Sequence, residues 1–248
     1  MRAGVSDFKQ AANYYSTAAP GGLAGSSLMT FFVVFTLKRY PNSGTNCLFS
    51  RTLGGVGYYI QLGGTLVATA TNSTPGAVVT PAILTTTLAF NRPYIFIVRY
   101  NGVPNPGNIE GWLAGVSTGT TTLGTGYTPD AAAQTTIGGY WVGQQPAVET
   151  IIHECGMLDT YDVVASYNTS FGVGGAGLNA QWSEDLQQGR YLTCPNNGGV
   201  WGASSEYWSA RDAIVGPATK ATWLDRSTNA FSAARTGAMQ GSSVRMVF

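Results

Sequence analysis

The chain has 248 residues, which suffices for one large all-β or α/β domain or for two small domains. Charged residues make up only 10% of it and the net charge is +1, so it lacks the positive charge that binding to nucleic acid or an anionic membrane requires. Glycine occurs 33 times and aromatic residues reach 12%, a composition typical of a folded, turn-rich protein. We therefore expect no nucleic-acid partner and no membrane insertion.

The first two thirds of the chain are predicted to form β-strands. Short β-branched and aromatic segments alternate with glycine, proline and asparagine turn signals, the pattern of a β-sandwich or jelly roll. Gly63-Gly64 predicts a two-residue hairpin turn, because glycine supplies the positive φ that such a turn requires. In chain order, the predicted strands are 30–37, 56–62, 65–70, 93–100, 109–117, 135–142 and 149–158.

The last third of the chain has a different pattern. After a glycine-rich segment, Leu178, Trp182 and Leu186 recur at helical spacing, so we expect a short amphipathic helix that packs on the sandwich or on a neighbouring subunit. The segment 206–214 suits a second short helix. The expected organisation is a sandwich over 1–170 and a small, mostly helical and loop extension over 171–248.

The tail of the chain predicts one more strand, over 244–248. Its apolar residues are Val244, Val247 and Phe248. An isolated apolar strand must pair its backbone groups, so we expect it to join a sheet edge of this chain or of a neighbouring subunit.

The ordered series of strands resembles the laminin-G-like, or concanavalin A-like, β-sandwich superfamily over about residues 8 to 168. The resemblance implies an all-β jelly roll of two antiparallel sheets that binds glycans or proteins at loops on one rim or on its concave face. The family's calcium site needs paired acidic or amide ligands, and none can be placed here, so calcium stays open and no metal or cofactor is assigned. The segments that carry the resemblance are 29–37, 48–51, 57–66, 94–102, 137–139 and 150–158.

The apparent catalytic motifs lack the structural setting that their chemistry requires. The G-x-S-x-G match at 115–119 is followed by a Thr/Gly-rich stretch instead of the helix of a nucleophile elbow. Glu149 and Glu154 are five residues apart, which places them on opposite faces of a regular strand rather than together as a glycosidase pair. His153, alone in an apolar strand, is expected to be a buried, hydrogen-bonded histidine. We therefore expect a non-enzymatic protein, with a glycoside hydrolase or lyase as the weaker alternative.

The cysteines and the start of the chain bear on its compartment. Cys47, Cys155 and Cys194 form no C-x-x-C pair, so we expect buried free thiols rather than a zinc site or a disulfide framework. No apolar segment follows Arg2, so no signal peptide is expected.

One group of residues suits a ligand site. Tyr140 and Trp141, with Tyr127 and Asp130 nearby in sequence, fall in a loop-rich region expected at a rim of the sandwich. Aromatic faces with a few polar groups are the usual chemistry of sugar binding, although packing in the core is the commoner fate of such residues.

These observations favour a non-enzymatic structural or adhesion protein. The low charge and the missing signal peptide fit a virion-surface protein of a bacteriophage, either a capsid decoration protein or a receptor-binding element. Its partners would be other virion subunits or copies of itself, in a homo-oligomer or a larger assembly. The alternative is a carbohydrate-binding, lectin-like module of a bacterial surface or secreted protein, located outside the cell or on its surface, with a cell-surface glycan as its partner.

Overall fold

A computed structural model describes residues 2–5, 14–17, 29–39, 46–53, 56–62, 66–71, 78–79, 88–100, 109–113, 116–121, 133–140, 149–158, 206–209, 222–223, 233–236 and 241–244. All regular secondary structure in these residues is β-strand. The strands are β1 Arg2–Val5, β2 Tyr14–Ser16, β3 Met29–Leu37, β4 Asn46–Leu53, β5 Val56–Leu62, β6 Leu66–Thr71, β7 Val78–Val79, β8 Pro93–Tyr100, β9 Ile109–Leu113, β10 Val116–Thr121, β11 Gln134–Ile137, β12 Thr150–Leu158, β13 Glu206–Ser209, β14 Thr222–Trp223, β15 Ala233–Thr236 and β16 Gly241–Val244.

The strands form two antiparallel sheets of eight strands each. The first sheet has the order β10-β9-β8-β3-β12-β1-β16, and β13 also pairs with β12. The second sheet has the order β14-β15-β2-β11-β4-β5-β6-β7. The predicted all-β antiparallel architecture is therefore confirmed.

The core lies between the two sheets. The ring of Phe31 in β3 lies 5.7 Å from the ring of Tyr58 in β5, which joins the inner faces of the first and second sheets. Arg51 lies opposite Tyr58 in the β4–β5 ladder, so it also faces the core, where it is fully buried. Its Nη1 donates a hydrogen bond to Thr135 Oγ1 at 3.5 Å.

The central strands of the first sheet are buried on both faces. Every side chain from Thr30 to Leu37 in β3 is buried, and so are those from Thr150 to Met157 in β12. A strand covered on both faces needs apolar residues at successive positions, which explains why β3 has the unbroken apolar run Phe31–Phe35 instead of an alternating pattern.

Several predicted strands match the structure and three need correction. The strand predicted over 135–142 is β11, which ends at Ile137 because the chain leaves the extended conformation at Gly138, where φ is 79°. β8 has its predicted bounds, and β3 and β12 differ from theirs by one residue. The segment predicted as one strand over 109–117 is instead the β9–β10 hairpin, in which Leu113 pairs with Val116. The β5–β6 hairpin pairs Leu62 with Leu66, so three residues separate the strands, one more than the two-residue turn predicted at Gly63-Gly64.

The C-terminal third adds strands to both sheets. The second helix expected around 206–214 is wrong for its first four residues, because Glu206–Ser209 form β13 and pair with β12. This segment contains the aromatic pair Tyr207-Trp208, which suits a strand once a partner edge is present. β16 pairs with β1 of the same chain, with Val244 opposite Arg2. The helix predicted around Leu178, Trp182 and Leu186, together with Val247 and Phe248, lies outside the described residues.

Candidate functional site

Two tyrosines form an aromatic pair on the outer face of the second sheet. Tyr58 points into the core, so its neighbour Tyr59 in β5 points to the opposite face. The ring of Tyr140, three residues beyond β11, contacts the ring of Tyr59 edge-on, with centroids 5.0 Å apart and an interplanar angle of 65°. Tyr59 is only 9% exposed, whereas Tyr140 is half-buried, so Tyr140 is the ring that a ligand can reach.

Hydrogen bonds to β4 fix the segment that carries Tyr140. The Gly138 amide donates to the Leu48 carbonyl at 2.9 Å, and Ser50 Oγ donates to the Gly139 carbonyl at 3.1 Å. Gly138 has a φ of 79°, in the left-handed region that favours glycine. These contacts place Tyr140 over the sheet instead of leaving it on an unsupported loop.

The surroundings of Tyr140 keep its phenol uncharged. Burial raises the pKa of the Tyr140 phenol above its usual value, and the neighbouring Tyr59 and Cys47 raise it further. Burial also raises the pKa of the Cys47 thiol, and this effect exceeds the opposing hydrogen bonds with the Phe49 backbone and the Ser50 side chain. Near neutral pH both groups are protonated, so the Tyr140 hydroxyl can donate a hydrogen bond as well as accept one.

The structure describes one of the four residues predicted to bind a ligand. Tyr140 is half-buried on the outer face, while Tyr127, Asp130 and Trp141 lie outside the described residues. Sequence reasoning missed Tyr59, the ring that supports Tyr140. The available signal was strand alternation: with Tyr58 in the core, Tyr59 must face outward.

His153 has the structural role predicted for it. It is buried, and its Nε2 lies 2.8 Å from Thr36 Oγ1 on the neighbouring strand β3. It occupies a β-bulge, since Ile152 pairs with Phe35 and the next paired residue is Glu154, opposite Val34. A bulge adds one residue to a strand and changes its alternation.

The bulge changes the reason why the two glutamates are apart. The prediction placed them on opposite faces of a regular strand, but β12 is irregular and begins only after Glu149, which has a φ of 57°. Glu149 lies at the end of the sheet and is half-buried, whereas Glu154 is buried within the strand. The two glutamates are therefore apart because one lies before β12 and the other lies within it, not because alternate residues of a strand point to opposite faces.

Ser117 of the G-x-S-x-G match lies within β10 and pairs with Trp112 of β9. β10 continues to Thr121, so the sharp strand-to-helix turn of a nucleophile elbow does not occur there, as predicted. Cys47 and Cys155 are buried free thiols, as predicted, and Cys194 lies outside the described residues.

Within the described ranges, no three His, Cys, Asp or Glu residues cluster closely enough to hold a metal ion. The same ranges contain no helix with the length and apolarity to cross a membrane.

Comparison with known proteins yields structural neighbours only. No protein-family model and no curated protein matches the chain. A protein from Bacteroides ovatus designated as carbohydrate-binding superposes with a TM-score of 0.60 and 14% identity, over 99% of this chain and 60% of that one. This chain therefore spans about 60% of that protein's length.

Two further neighbours match less of the chain. The heptameric SAP-like pentraxin from Limulus polyphemus has a TM-score of 0.47 and 14% identity, over 63% of this chain and 74% of its own. The Trypanosoma rangeli sialidase has a TM-score of 0.41 and 14% identity, over 57% of this chain and 22% of its own. The likeness to the Bacteroides ovatus protein gives no support to the predicted bacteriophage role. At 14% identity the likeness to the Bacteroides ovatus protein is evidence for the fold alone, and together with the two antiparallel sheets it confirms the predicted all-β sandwich.

Proposed function

We propose that this protein is a non-enzymatic, lectin-like module that binds a glycan on the outer face of its second sheet, outside the cell or on its surface. The observation that carries the proposal is the Tyr59–Tyr140 pair, in which the ring of partly exposed Tyr140 contacts the ring of nearly buried Tyr59 edge-on. The likeness to the Bacteroides ovatus protein designated as carbohydrate-binding is consistent with this function.

The tyrosine pair has the physical properties that sugar binding uses. The C–H face of a pyranose packs on an aromatic ring, and the ring must be held in place so that little entropy is lost on binding. Tyr140 is held by Tyr59 from the side and, through its neighbour Gly139, by Ser50 from β4. Its exposed surface is therefore available in a fixed orientation.

The polar groups beside the pair suit sugar hydroxyls. Gln61 lies two residues from Tyr59 in β5, so it shares the outer face, and it is partly exposed. Its amide can donate and accept, as can the protonated hydroxyl of Tyr140. The acidic residues of the described ranges lie in or next to strands of the first sheet and not beside the tyrosine pair, and so binding without hydrolysis is the function that we propose; they are Glu110, Glu149, Glu154 and Glu206.

A glycan array followed by titration calorimetry tests the proposal. We expect wild-type protein to bind at least one class of oligosaccharide with a Kd between about 10 μM and 1 mM, corresponding to roughly 4–7 kcal/mol. Tyr140→Ala removes the exposed ring and should weaken binding by about tenfold or more, in line with the roughly 1–2 kcal/mol of an aromatic contact. Tyr140→Phe keeps the ring, so its glycan affinity should fall by about threefold or less, which is the effect of losing one exposed hydrogen bond.

Leu53→Ala is the matched control. Leu53 lies in β4 of the same sheet and is 41% exposed, so its truncation removes accessible apolar surface outside the tyrosine pair. Affinity should not change. Silence of the wild-type protein on the whole array, or equal losses from Tyr140→Ala and Leu53→Ala in folded protein, would refute the proposed site.

A further inference from the structure

A second surface lies where three strands of the first sheet end. Thr36 at the end of β3 pairs with Pro93 at the start of β8, and Leu37 pairs with Thr150 at the start of β12. The turns next to these strand ends therefore meet at one end of the sheet. Six of their exposed or partly exposed residues, which we call the basic rim, are Lys38, Arg39, Phe90, Asn91, Arg92 and Glu149.

The backbone of the basic rim is fixed. The Lys38 amide donates to the Glu149 carbonyl at 2.7 Å, and the Asn91 amide donates to the Leu37 carbonyl at 2.8 Å. Asn91 and Glu149 have φ angles of 58° and 57°, both in the left-handed region. Such a conformation in a residue other than glycine has an energetic cost and tends to occur where the surrounding structure imposes it, often near a functional site.

The basic rim carries a net positive charge. Lys38, Arg39 and Arg92 against Glu149 give three positive charges and one negative, a local net charge of +2 in a chain whose total is +1. Lys38 Nζ donates to Asn91 Oδ1 at 3.2 Å, and Arg39 Nη2 pairs with Glu149 Oε1 at 3.0 Å. Lysine and arginine carry more N–H donors than these contacts use, so donors remain for a ligand.

Arg92 differs from the other two cations. Its guanidinium lies 5.5 Å from the centroid of the Tyr94 ring, a cation–π contact that orients it without neutralising its charge. Two residues before it along the chain, Phe90 is 49% exposed, one of two large apolar residues so exposed in the described part of the chain. Cations beside an accessible aromatic ring match a sugar that carries an anionic substituent, because the ring packs on the pyranose and the cations bind the charge.

We propose that the basic rim binds the sulfate or carboxylate groups of an anionic glycan. This inference rests on the proposed glycan-binding function and assigns it a second contact surface, on the other sheet from the Tyr59–Tyr140 pair. The tyrosine pair binds uncharged parts of a sugar chain, and the basic rim provides selectivity for charged ones.

Titration calorimetry with three tetrasaccharides of matched backbone, one neutral, one sulfated and one built with uronic acids, tests the proposal. We expect wild-type protein to prefer one or both anionic forms over the neutral form by about tenfold at low salt, and to lose most of this preference at about 0.5 M salt, where charges are screened. The sulfated and uronic forms identify which anion is bound.

Charge-removing variants locate the contact. Arg92→Gln and Arg39→Gln should each reduce affinity for the preferred anionic form by about three- to tenfold and leave the neutral form unchanged. Phe90→Ala should reduce the affinity for the anionic form by a similar factor without altering the salt dependence of that affinity. Arg235→Gln, in β15 of the second sheet, removes the same charge and is the control, with no expected effect.

The outcomes separate this inference from the proposed function. Binding that is lost in Tyr140→Ala but is identical in Arg92→Gln, Arg39→Gln and wild type would overturn the basic rim and leave the proposed function intact. An equal loss in Arg235→Gln would mean that only overall charge matters, which also overturns it. Polyglutamate that binds wild-type protein as tightly as the anionic tetrasaccharides would show a surface for acidic polypeptides and overturn the glycan assignment.

Discussion

Gly57 occupies a position in the β4–β5 ladder that no other residue fits. Its φ is 147°, a conformation that side-chain-bearing residues rarely adopt, and it pairs with Thr52. A Cβ built on Gly57 would lie 2.1 Å from the carbonyl oxygen of Arg51 and 2.9 Å from Cα of Thr52. Both obstructing atoms belong to the backbone, so neither can move away by a side-chain rotation. Gly57→Ala must therefore separate the two strands locally.

We expect Gly57→Ala to destabilise the fold by about 2–6 kcal/mol, the sum of roughly 1–3 kcal/mol for the forced backbone conformation and a comparable cost for the steric overlap. In a domain of this size about 1 kcal/mol corresponds to a shift of about 2–4 °C in Tm, so Tm should fall by roughly 4–24 °C. Thermal unfolding followed by circular dichroism, and urea unfolding followed by tryptophan fluorescence, measure the two quantities.

Gly119→Ala is the matched control, because Gly119 also has a positive φ, 119°, but a Cβ there meets nothing within 4 Å. Gly119→Ala has the conformational cost without the steric overlap, so we expect its free energy of unfolding to fall by about 1–3 kcal/mol. If both variants lose the same stability, the overlap with Arg51 contributes nothing and the argument from close approach is wrong.

Three further predictions concern buried groups. In a Cys194→Ser background, the folded protein should not react with a thiol reagent at pH 8, because Cys47 and Cys155 are both buried. Both thiols should react after denaturation, and rapid labelling of the folded protein would contradict this prediction. The Tyr140 pKa is raised in the folded state, so its contribution to stability is fully present below the ordinary tyrosine pKa of about 10 and is lost as pH rises towards the folded value. Tyr140→Phe should therefore lessen the decline in urea midpoint between pH 9 and pH 11, and an unchanged decline would contradict the shift. His153→Ala should lower the free energy of unfolding by about 2–4 kcal/mol, because it leaves a cavity and removes the hydrogen bond to Thr36. Glycan affinity should not change, and a loss of affinity in folded protein would refute the structural role of His153.

Local sequence patterns predicted the strands whose boundaries have strong signals. β8 begins at a proline, which is tolerated at the first strand position, and is followed by Asn101-Gly102, a strong turn signal. The β9–β10 hairpin was missed because only Ala114 and Gly115 separate its strands, and alanine carries no turn preference. β13 depends on the free edge of β12, about fifty residues earlier, which no local pattern contains.

The two candidate sites also differ in whether the local sequence predicts them. Tyr140 could be selected from the sequence because an aromatic residue beside glycines suggests a loop with ligand-binding chemistry. The basic rim could not, since Lys38 and Asn91 are 53 positions apart and Arg39 and Glu149 are 110 apart. Only the strand order brings these turns together, and the strand order was not predicted.

The pairing of β1 constrains the order in which the first sheet can assemble. β1 contacts β12 through Val5 and Ile152 and pairs along its other edge with Gly241–Val244. During synthesis, β1 leaves the ribosome long before either neighbour exists, so β3, β8 and the β9–β10 hairpin can associate while β1 has no partner. Contacts between such distant segments require closure of large loops, which slows folding, and domains with many of them fold in milliseconds to seconds. β1 can pair with β12 once β12 has been made, but its other edge has no partner until residue 244 has been made and can pair with other chains, so conditions that slow elongation should raise the aggregation of this protein.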